Sequence, residues 1–259
     1  MRPLPGPFWD RFLERHWGRA PLRIDRRIAG PLAEPGDLLG GLLHASDRFR
    51  AGDRSVPIKL LTRDETDLGP EALVPLLPRR SDRGVEAYAA RVARALGDDK
   101  FTLLLNCYER FDPMVTRRAQ RFIGPALRGI PAGASNISVF LGSYDRTPVG
   151  IHRDPASIFM FVVHGRKRML VWPGHAFLPA AAAGHPADYE ALRALRLGPA
   201  QRRRLEQPIV LDGGPGDVLF WPSTYWHVGE CPRGVALTLS IGLNPVRIPA
   251  PRAAAAARA

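Results

Sequence analysis

The sequence predicts an antiparallel β-sandwich or barrel with helices packed outside it. Three observations carry that expectation. Beyond Lys100 the apolar residues fall into short runs of strand length, among them FTLLLNC, SNISVFLGS, SIFMFVV and VALTLSIGL. Glycine and proline, 25 and 26 residues of the chain, punctuate those runs where turns are needed. Ahead of Lys100 the apolar spacing becomes helical, so helices precede the sheet and must cover one of its faces.

Taken in order, residues 7–17 (PFWDRFLERHW) read as a short amphipathic helix with Phe8, Phe12 and Leu13 on one side. Pro21 ends it, and PLRI reads as a short strand. A second helix is expected over residues 31–43, with Asp37 as its cap. Residues 51–82 mix Pro, Asp, Arg and Thr with short apolar pieces and yield one expectation, an edge strand around residues 56–61. Residues 81–96 then place Val85, Tyr88, Ala89, Val92 and Leu96 on one helical stripe. The strand FTLLLNC is followed by a helix over 113–127, the strand SNISVFLGS and a loop over 143–148. GIHRD, SIFMFVV and RKRMLVW follow as strands, the last two joined as a hairpin at His164 and Gly165. An excursion over 173–208 is expected to hold a helix over 186–197 and a basic segment over 201–204. PIVLD, GDVLFW and VALTLSIGL complete the sheet, and PAPRAAAAARA reads as a disordered tail. The chain thus divides into N-terminal helices and edge strands (1–99), a β core (100–248) with its 173–208 insert, and a tail (249–259).

Composition bounds the function classes. At 259 residues, 45% hydrophobic and 24% charged, the chain can bury a full core. No apolar run approaches the roughly 20 residues of a membrane span, and MRPLPGPFWDRFLERHW turns charged too early for a secretory signal. Cys107 and Cys231 form neither a CxxC pair nor a disulfide framework. A cytoplasmic protein is expected. The net charge of +12 invites a nucleic-acid reading. Yet only Lys59, Lys100 and Lys167 are lysines among 37 basic residues, and arginine, alanine, glycine and proline are all products of GC-rich codons. The arginines are also spread along the chain, so nucleic acid is the less favoured partner.

The chemistry concentrates in two stretches. His152 and Asp154 are two residues apart at the start of a strand, so their side chains share a face. GDVLFWPSTYWHVGE then delivers His227 after an apolar strand and a proline-containing turn. Two imidazoles and one carboxylate facing one point match the facial triad of non-haem Fe(II), which leaves coordination positions open; a closed structural zinc site would need a fourth protein ligand. His16, His44, His175 and His185 read as ordinary satisfied polar residues, and His164 as a turn residue.

Together SNISVFLG, HRD, GRKR, GDVLFWPSTYWH and GVALTLSIG resemble the JmjC/cupin-like family of Fe(II)- and 2-oxoglutarate-dependent oxygenases, especially its asparaginyl-hydroxylase and ribosomal-oxygenase branches. The resemblance covers residues 100–245 or so, and residues 1–30 look like the family's usual opening. It implies a mainly β fold with flanking helices around a double-stranded β-helix (jelly-roll, cupin-like) core. It further implies Fe(II), 2-oxoglutarate and O2, with His152, Asp154 and His227 as metal ligands and catalytic centre. Lys167 matches the basic residue that binds the distal carboxylate of 2-oxoglutarate. Its own context offers a surface lysine between Arg166 and Arg168 as the alternative, but strand alternation groups it with Met169 and Val171, facing inward. Ser240, Thr238, Thr147 and Asn136 are further positions matched to co-substrate contacts, though small hydroxyls are also simply tolerated in strands. Tyr144 and Trp226 are assigned to the substrate.

The expected function is hydroxylation of an amino-acid side chain in a peptide or protein. The first rival is the same chemistry on a small metabolite or natural-product intermediate, the second is a tRNA base, and the third is a binding module on a decayed barrel. Relatives in the two named branches carry C-terminal segments that dimerise them. This sequence ends about 15 residues after its last barrel strand, an expectation against a C-terminal dimer that also raises the small-molecule and small-peptide readings.

Overall fold

The computed structural model describes residues 4–64, 66–130 and 132–245, and the tail read as disordered lies outside them. In chain order the strands are β1 (Leu22–Ile24), β2 (Ile58–Thr62), β3 (Phe101–Leu105), β4 (Ala132–Ser143), β5 (His152–Arg153) and β6 (Ser157–His164). They continue with β7 (Lys167–Pro173), β8 (Glu190–Ala191), β9 (Ile209–Gly213), β10 (Val218–Trp221), β11 (Tyr225–Glu230) and β12 (Ala236–Pro245). The helices are α1 (Gly6–Arg15), α2 (Arg26–Ala29), α3 (Pro35–Arg50), α4 (Pro70–Leu73), α5 (Val85–Leu96), α6 (Pro113–Leu127) and α7 (Pro199–Arg204).

The strands form two antiparallel sheets. The larger runs β1-β10-β6-β12-β4-β3-β2 and the smaller β8-β5-β11-β7-β9. Strand alternation sorts the side chains into layers. On β12, Leu237, Leu239, Ile241 and Leu243 enter the large core shared with Trp9 and Phe12 of α1, Leu38 and Leu42 of α3, Tyr88 of α5 and Phe122 of α6. The opposite face of the same sheet meets the smaller sheet, where Met160, Val162, Met169, Val171, Leu219 and Trp221 form an inner cluster. The smaller sheet's outer face, with Trp172, Trp226 and Val228, is covered by Phe177 and Leu192 of the 173–208 insert. Four layers result: helices, large sheet, small sheet, insert. β1 and β2 close the two edges of the large sheet. Asp217 ties β1 and α2 to the core, accepting from Arg26 N at 2.8 Å and Gly214 N at 2.9 Å and pairing with Arg23 at 3.4 Å.

Several expectations need correction. The helix expected over 31–43 is α3, four residues later at its start; Glu34 is its N-cap, and Asp37 sits three residues in, accepting from Glu34 N at 3.3 Å. The inward side of α1 is led by Trp9, 2% exposed, which the reading of Phe8, Phe12 and Leu13 omitted. β6 and β7 are not a hairpin, because they belong to opposite sheets. Gly165 makes the corner with φ of 71°, and a Cβ there would strike the Val235 carbonyl. No helix forms over 186–197: β8 pairs with β5 instead, and Leu192 to Ala194 make a single 3-10 turn. Pairing and the burial of Leu192 outweigh the helix propensity of ALRALRL. No helix among the described residues is long and apolar enough to cross a membrane.

Candidate active site

β5 and β11 are neighbours in the smaller sheet, and their register sets His152 directly opposite His227. Both point between the sheets, with ring centroids 4.2 Å apart. Asp154 follows immediately after β5, its Oδ2 3.6 Å from His152 Nε2 and 3.4 Å from His227 Nε2. One ligand atom from each of the three lies within 4.8 Å of the others, the one such group of His, Cys, Asp and Glu among the described residues. Backbone carbonyls fix the imidazoles. Gly150 O is 2.8 Å from His152 Nδ1 and Tyr225 O 3.4 Å from His227 Nδ1. A carbonyl only accepts, so each Nδ1 carries the proton and each Nε2 keeps its lone pair.

The electrostatics suit a cation. Burial raises the Asp154 pKa, but the neighbouring His152 and His227 more than reverse this and hold the carboxyl well below the usual carboxylate range. Burial pushes the His227 pKa down, and neighbouring His152 pushes the same way, favouring the neutral, ligating ring. The three side chains offer two imidazole nitrogens and a carboxylate oxygen on one side of a point, with no fourth ligand among the described residues. That donor set fits a divalent transition ion with open positions.

The triad lines a cavity of about 430 Å³ between the sheets. Lys167 lines it too, 2% exposed, confirming by geometry that the lysine points inward with Met169 and Val171. Its ammonium donates to the Tyr144 hydroxyl and lies 4.3 Å from the centre of that ring. Burial lowers the Lys167 pKa, while Cys231 and Glu230 raise it. None of the described carboxylates forms an ion pair with it. A buried cation of this kind calls for an anion. Gly229 of β11 makes room, since a Cβ there would lie 2.5 Å from Lys167 Nζ and 2.8 Å from Thr147 Oγ1. Ser240 Oγ and Trp221 Nε1 also line the cavity, buried and without protein partners.

Not every expected residue meets the cavity in the expected way. Thr147 lines it, but its hydroxyl is engaged with Gly229, donating to O and accepting from N, each at 3.0 Å. Asn136 lines it and is exposed, its Oδ1 accepting from Cys107 N at 3.4 Å. Thr238 faces inward by alternation with Ser240, but it does not reach the cavity wall. Tyr144, assigned to the substrate, is buried beside Lys167. Trp226 is a correction: it is fully buried on the far face of β11, donating towards Gly174 O at 3.4 Å and packed on Phe177. Adjacent residues of a strand point to opposite sides, so a tryptophan next to His227 cannot share its pocket.

The aromatic walls are Trp221 and Tyr189, with rings 5.1 Å from those of His227 and His152 respectively. Trp221 carried an alternation signal, because VLFW runs into the turn before His227. Tyr189 carried none, since its approach depends on the unforeseen strand β8. Of the remaining histidines, His164 pairs with Glu86 at 2.7 Å, His44 with Phe111 O at 3.2 Å, and His185 with Ser223 Oγ at 2.5 Å. His16 departs from the satisfied reading: its Nδ1 is buried without a partner while the ring stacks on Phe12.

Two antiparallel sheets with a His-x-Asp…His triad between them agree with the match of residues 132–249 to the JmjC domain model. Those residues are similar to a JmjC domain. The match spans β4 to β12, the strands of the jelly-roll core. Among solved structures, YcfD of Escherichia coli is similar at 22% identity over 95% of this chain, with a TM-score of 0.54. Two further structures describe that protein as a ribosomal oxygenase, one of them in complex with cobalt and succinic acid; they match at 19% and 20% identity over 95% of this chain, with TM-scores of 0.50 and 0.51. The chain spans about half the length of these neighbours, 52–53%. At such identities the likeness is one of fold. No curated protein sequence matches the chain.

Proposed function

We propose that the chain is an Fe(II)- and 2-oxoglutarate-dependent oxygenase that hydroxylates an amino-acid side chain within a peptide or protein. The observation that carries this reading is a pair of complementary features in one cavity: an open cation site of two His and one Asp, and a buried lysine lacking an anion. A dicarboxylate 2-oxo acid satisfies both ends at once. The cobalt and succinic acid in a neighbour's structure describe the same pairing of metal and dicarboxylate in that protein.

In this reading His152, Asp154 and His227 hold the iron, with Nδ1 protons on the backbone side and Nε2 lone pairs inward. Lys167 neutralises the far carboxylate, and Tyr144 steers the ammonium towards it. Ser240 Oγ gives the co-substrate a hydroxyl with no competing protein bond. Bound iron would supply the redox chemistry that couples 2-oxoglutarate decarboxylation to placing one oxygen atom on a substrate C–H group. Trp221 and Tyr189 wall the space beside the ligands and exclude water from it.

A small metabolite as substrate is the second reading, supported by Tyr189, which narrows one side of the cavity. The two are separated by incubating the iron-loaded protein with 2-oxoglutarate in air, against a peptide digest and against a metabolite extract. Gain of one oxygen atom's mass on a peptide side chain, with matching succinate, is the expected result. Gain on a metabolite alone would replace the peptide reading. Absence of succinate above the Asp154→Ala background in both mixtures would overturn the oxygenase assignment.

A further inference from the structure

Arg153, the middle residue of the His-Arg-Asp motif, takes no part in the site as described so far. It points away from the cavity, on the face of β5 opposite His152 and Asp154. An arginine there would ordinarily reach solvent, yet this one is 1% exposed. Its guanidinium meets Glu190 at 2.9 Å through Nε and 2.5 Å through Nη2. It also donates to Gly184 O at 2.9 Å and towards Ala182 O at 3.4 Å. Beneath it lies the Trp226 ring, 5.1 Å away. Every one of these polar partners belongs to residues 182–190 of the insert.

That segment is also held by His185, 2.5 Å from Ser223 Oγ, and by the Tyr189 hydroxyl, which donates to Val149 O at 3.4 Å, but its strand pairing is slight. β8 is two residues long and pairs only His152 with Ala191 and Arg153 with Glu190, with Leu192 N bonding to Ile151 O at 2.8 Å beyond them. Two-residue strands are not stable by themselves. Alternation along β8 sends Glu190 outward to Arg153 and Tyr189 inward, where its ring lies 5.1 Å from His152 and lines the cavity. The planar fork of arginine is suited to bonding a carboxylate and two carbonyls together, which lysine's single ammonium is not.

We propose that Arg153 is a positioning residue: by clasping Glu190 and the carbonyls of Ala182 and Gly184, it fixes Tyr189 against His152 as one wall of the substrate cavity. One buried side chain, set between two metal-site residues, thereby couples the insert to the site. The substrate role of that wall rests on the oxygenase reading; the clasp does not. The segment 182–191 is then the part of the chain that selects what enters beside His152.

The test uses the full chain in two parts. Hydrogen exchange of the metal-free protein, followed over residues 182–191, compares wild type with Arg153→Lys and Glu190→Gln. Co(II) titration, read by the visible ligand-field spectrum, compares Arg153→Lys, Tyr189→Ala and the double variant. The clasp requires exchange over 182–191 to rise at least ~10-fold in both single variants, with β4 and β12 unchanged. It also requires Arg153→Lys and Tyr189→Ala to alter the Co(II) spectrum alike, the double variant adding nothing further. Glu190 is 40% exposed, so Glu190→Gln remains readable even if Arg153→Lys fails to fold. Wild-type exchange over 182–191 in a folded variant, or additive spectral effects, would overturn the proposal. Because exchange is read without metal or co-substrate, failure of the clasp is distinct from failure of the oxygenase reading.

Discussion

Gly229 shows how closely the site is built at the residue scale. It faces Lys167 and Thr147 across β11, and the absent side chain is what lets the ammonium lie along the strand. Gly229→Ala would place a methyl 2.5 Å from Lys167 Nζ and 2.8 Å from Thr147 Oγ1, so one of them must move. The expected outcome is a loss of 2-oxoglutarate affinity of ~10-fold or more with Co(II) affinity unchanged, measured by calorimetry with each ligand in turn. The shared face of His152 and Asp154 was legible in the sequence, because two-residue spacing on a strand fixes it whatever the fold. Lys167 was legible for the same reason. Trp226 was misread because its neighbour His227 suggested proximity, whereas adjacency in a strand means opposite faces. Tyr144 was singled out, but its place beside Lys167, like that of Tyr189 beside His152, was beyond reach: each lies off the core strands, and its direction depends on long-range packing.

Two predictions belong to individual elements. α1 looks peripheral, but Trp9 packs edge-on against Phe12 and Phe122 and is 2% exposed. Trp9→Ala should cost about 3–5 kcal/mol in chemical denaturation, a core-sized loss. α5 is anchored by Arg91, whose guanidinium bonds Asp82 at 2.7 and 2.8 Å and the carbonyls of Pro75 and Leu77. Burial raises the Asp82 pKa, but the bonds from Arg91 and Arg79 N prevail and depress it below 3.8. A depressed carboxylate contributes stability above its unfolded pKa and loses it as pH falls through the folded one. Stability should therefore decline below about pH 4, and Asp82→Asn should flatten that decline in urea titrations run at successive pH values. Of the elements from residue 85 onward that bury one apolar face, α6 was read to the residue, while α5 begins four residues later than expected and β4 three residues earlier. The supposed 164–165 hairpin was misread, because a glycine turn between apolar strands looks the same whether the strands pair or switch sheets. The supposed helix over 186–197 failed because a two-residue pairing with β5 carries no local signature.

For the molecule as a whole, four layers follow from three apolar clusters, and the site lies in a gap between the sheets lined by polar residues. Ser240 and Gly242 on the inner face of β12 leave space where Leu239 and Ile241 fill the outer one. The basic net charge was read as compositional; Arg63, Arg91, Arg153 and Arg166 each pair with a carboxylate within 3 Å, which leaves the net charge of +12 unchanged. The central claim is that one cavity joins an iron site to a lysine awaiting a carboxylate. Anaerobic titration of the metal-free protein with Fe(II) and then 2-oxoglutarate tests it, read by the visible charge-transfer band of the chelate in wild type and Lys167→Ala. The account predicts a band in wild type that needs at least ~10-fold more 2-oxoglutarate in the variant, since a charge-assisted contact is lost. A folded, iron-loaded wild type that gives no band, or a variant that saturates at the same concentration, would contradict it.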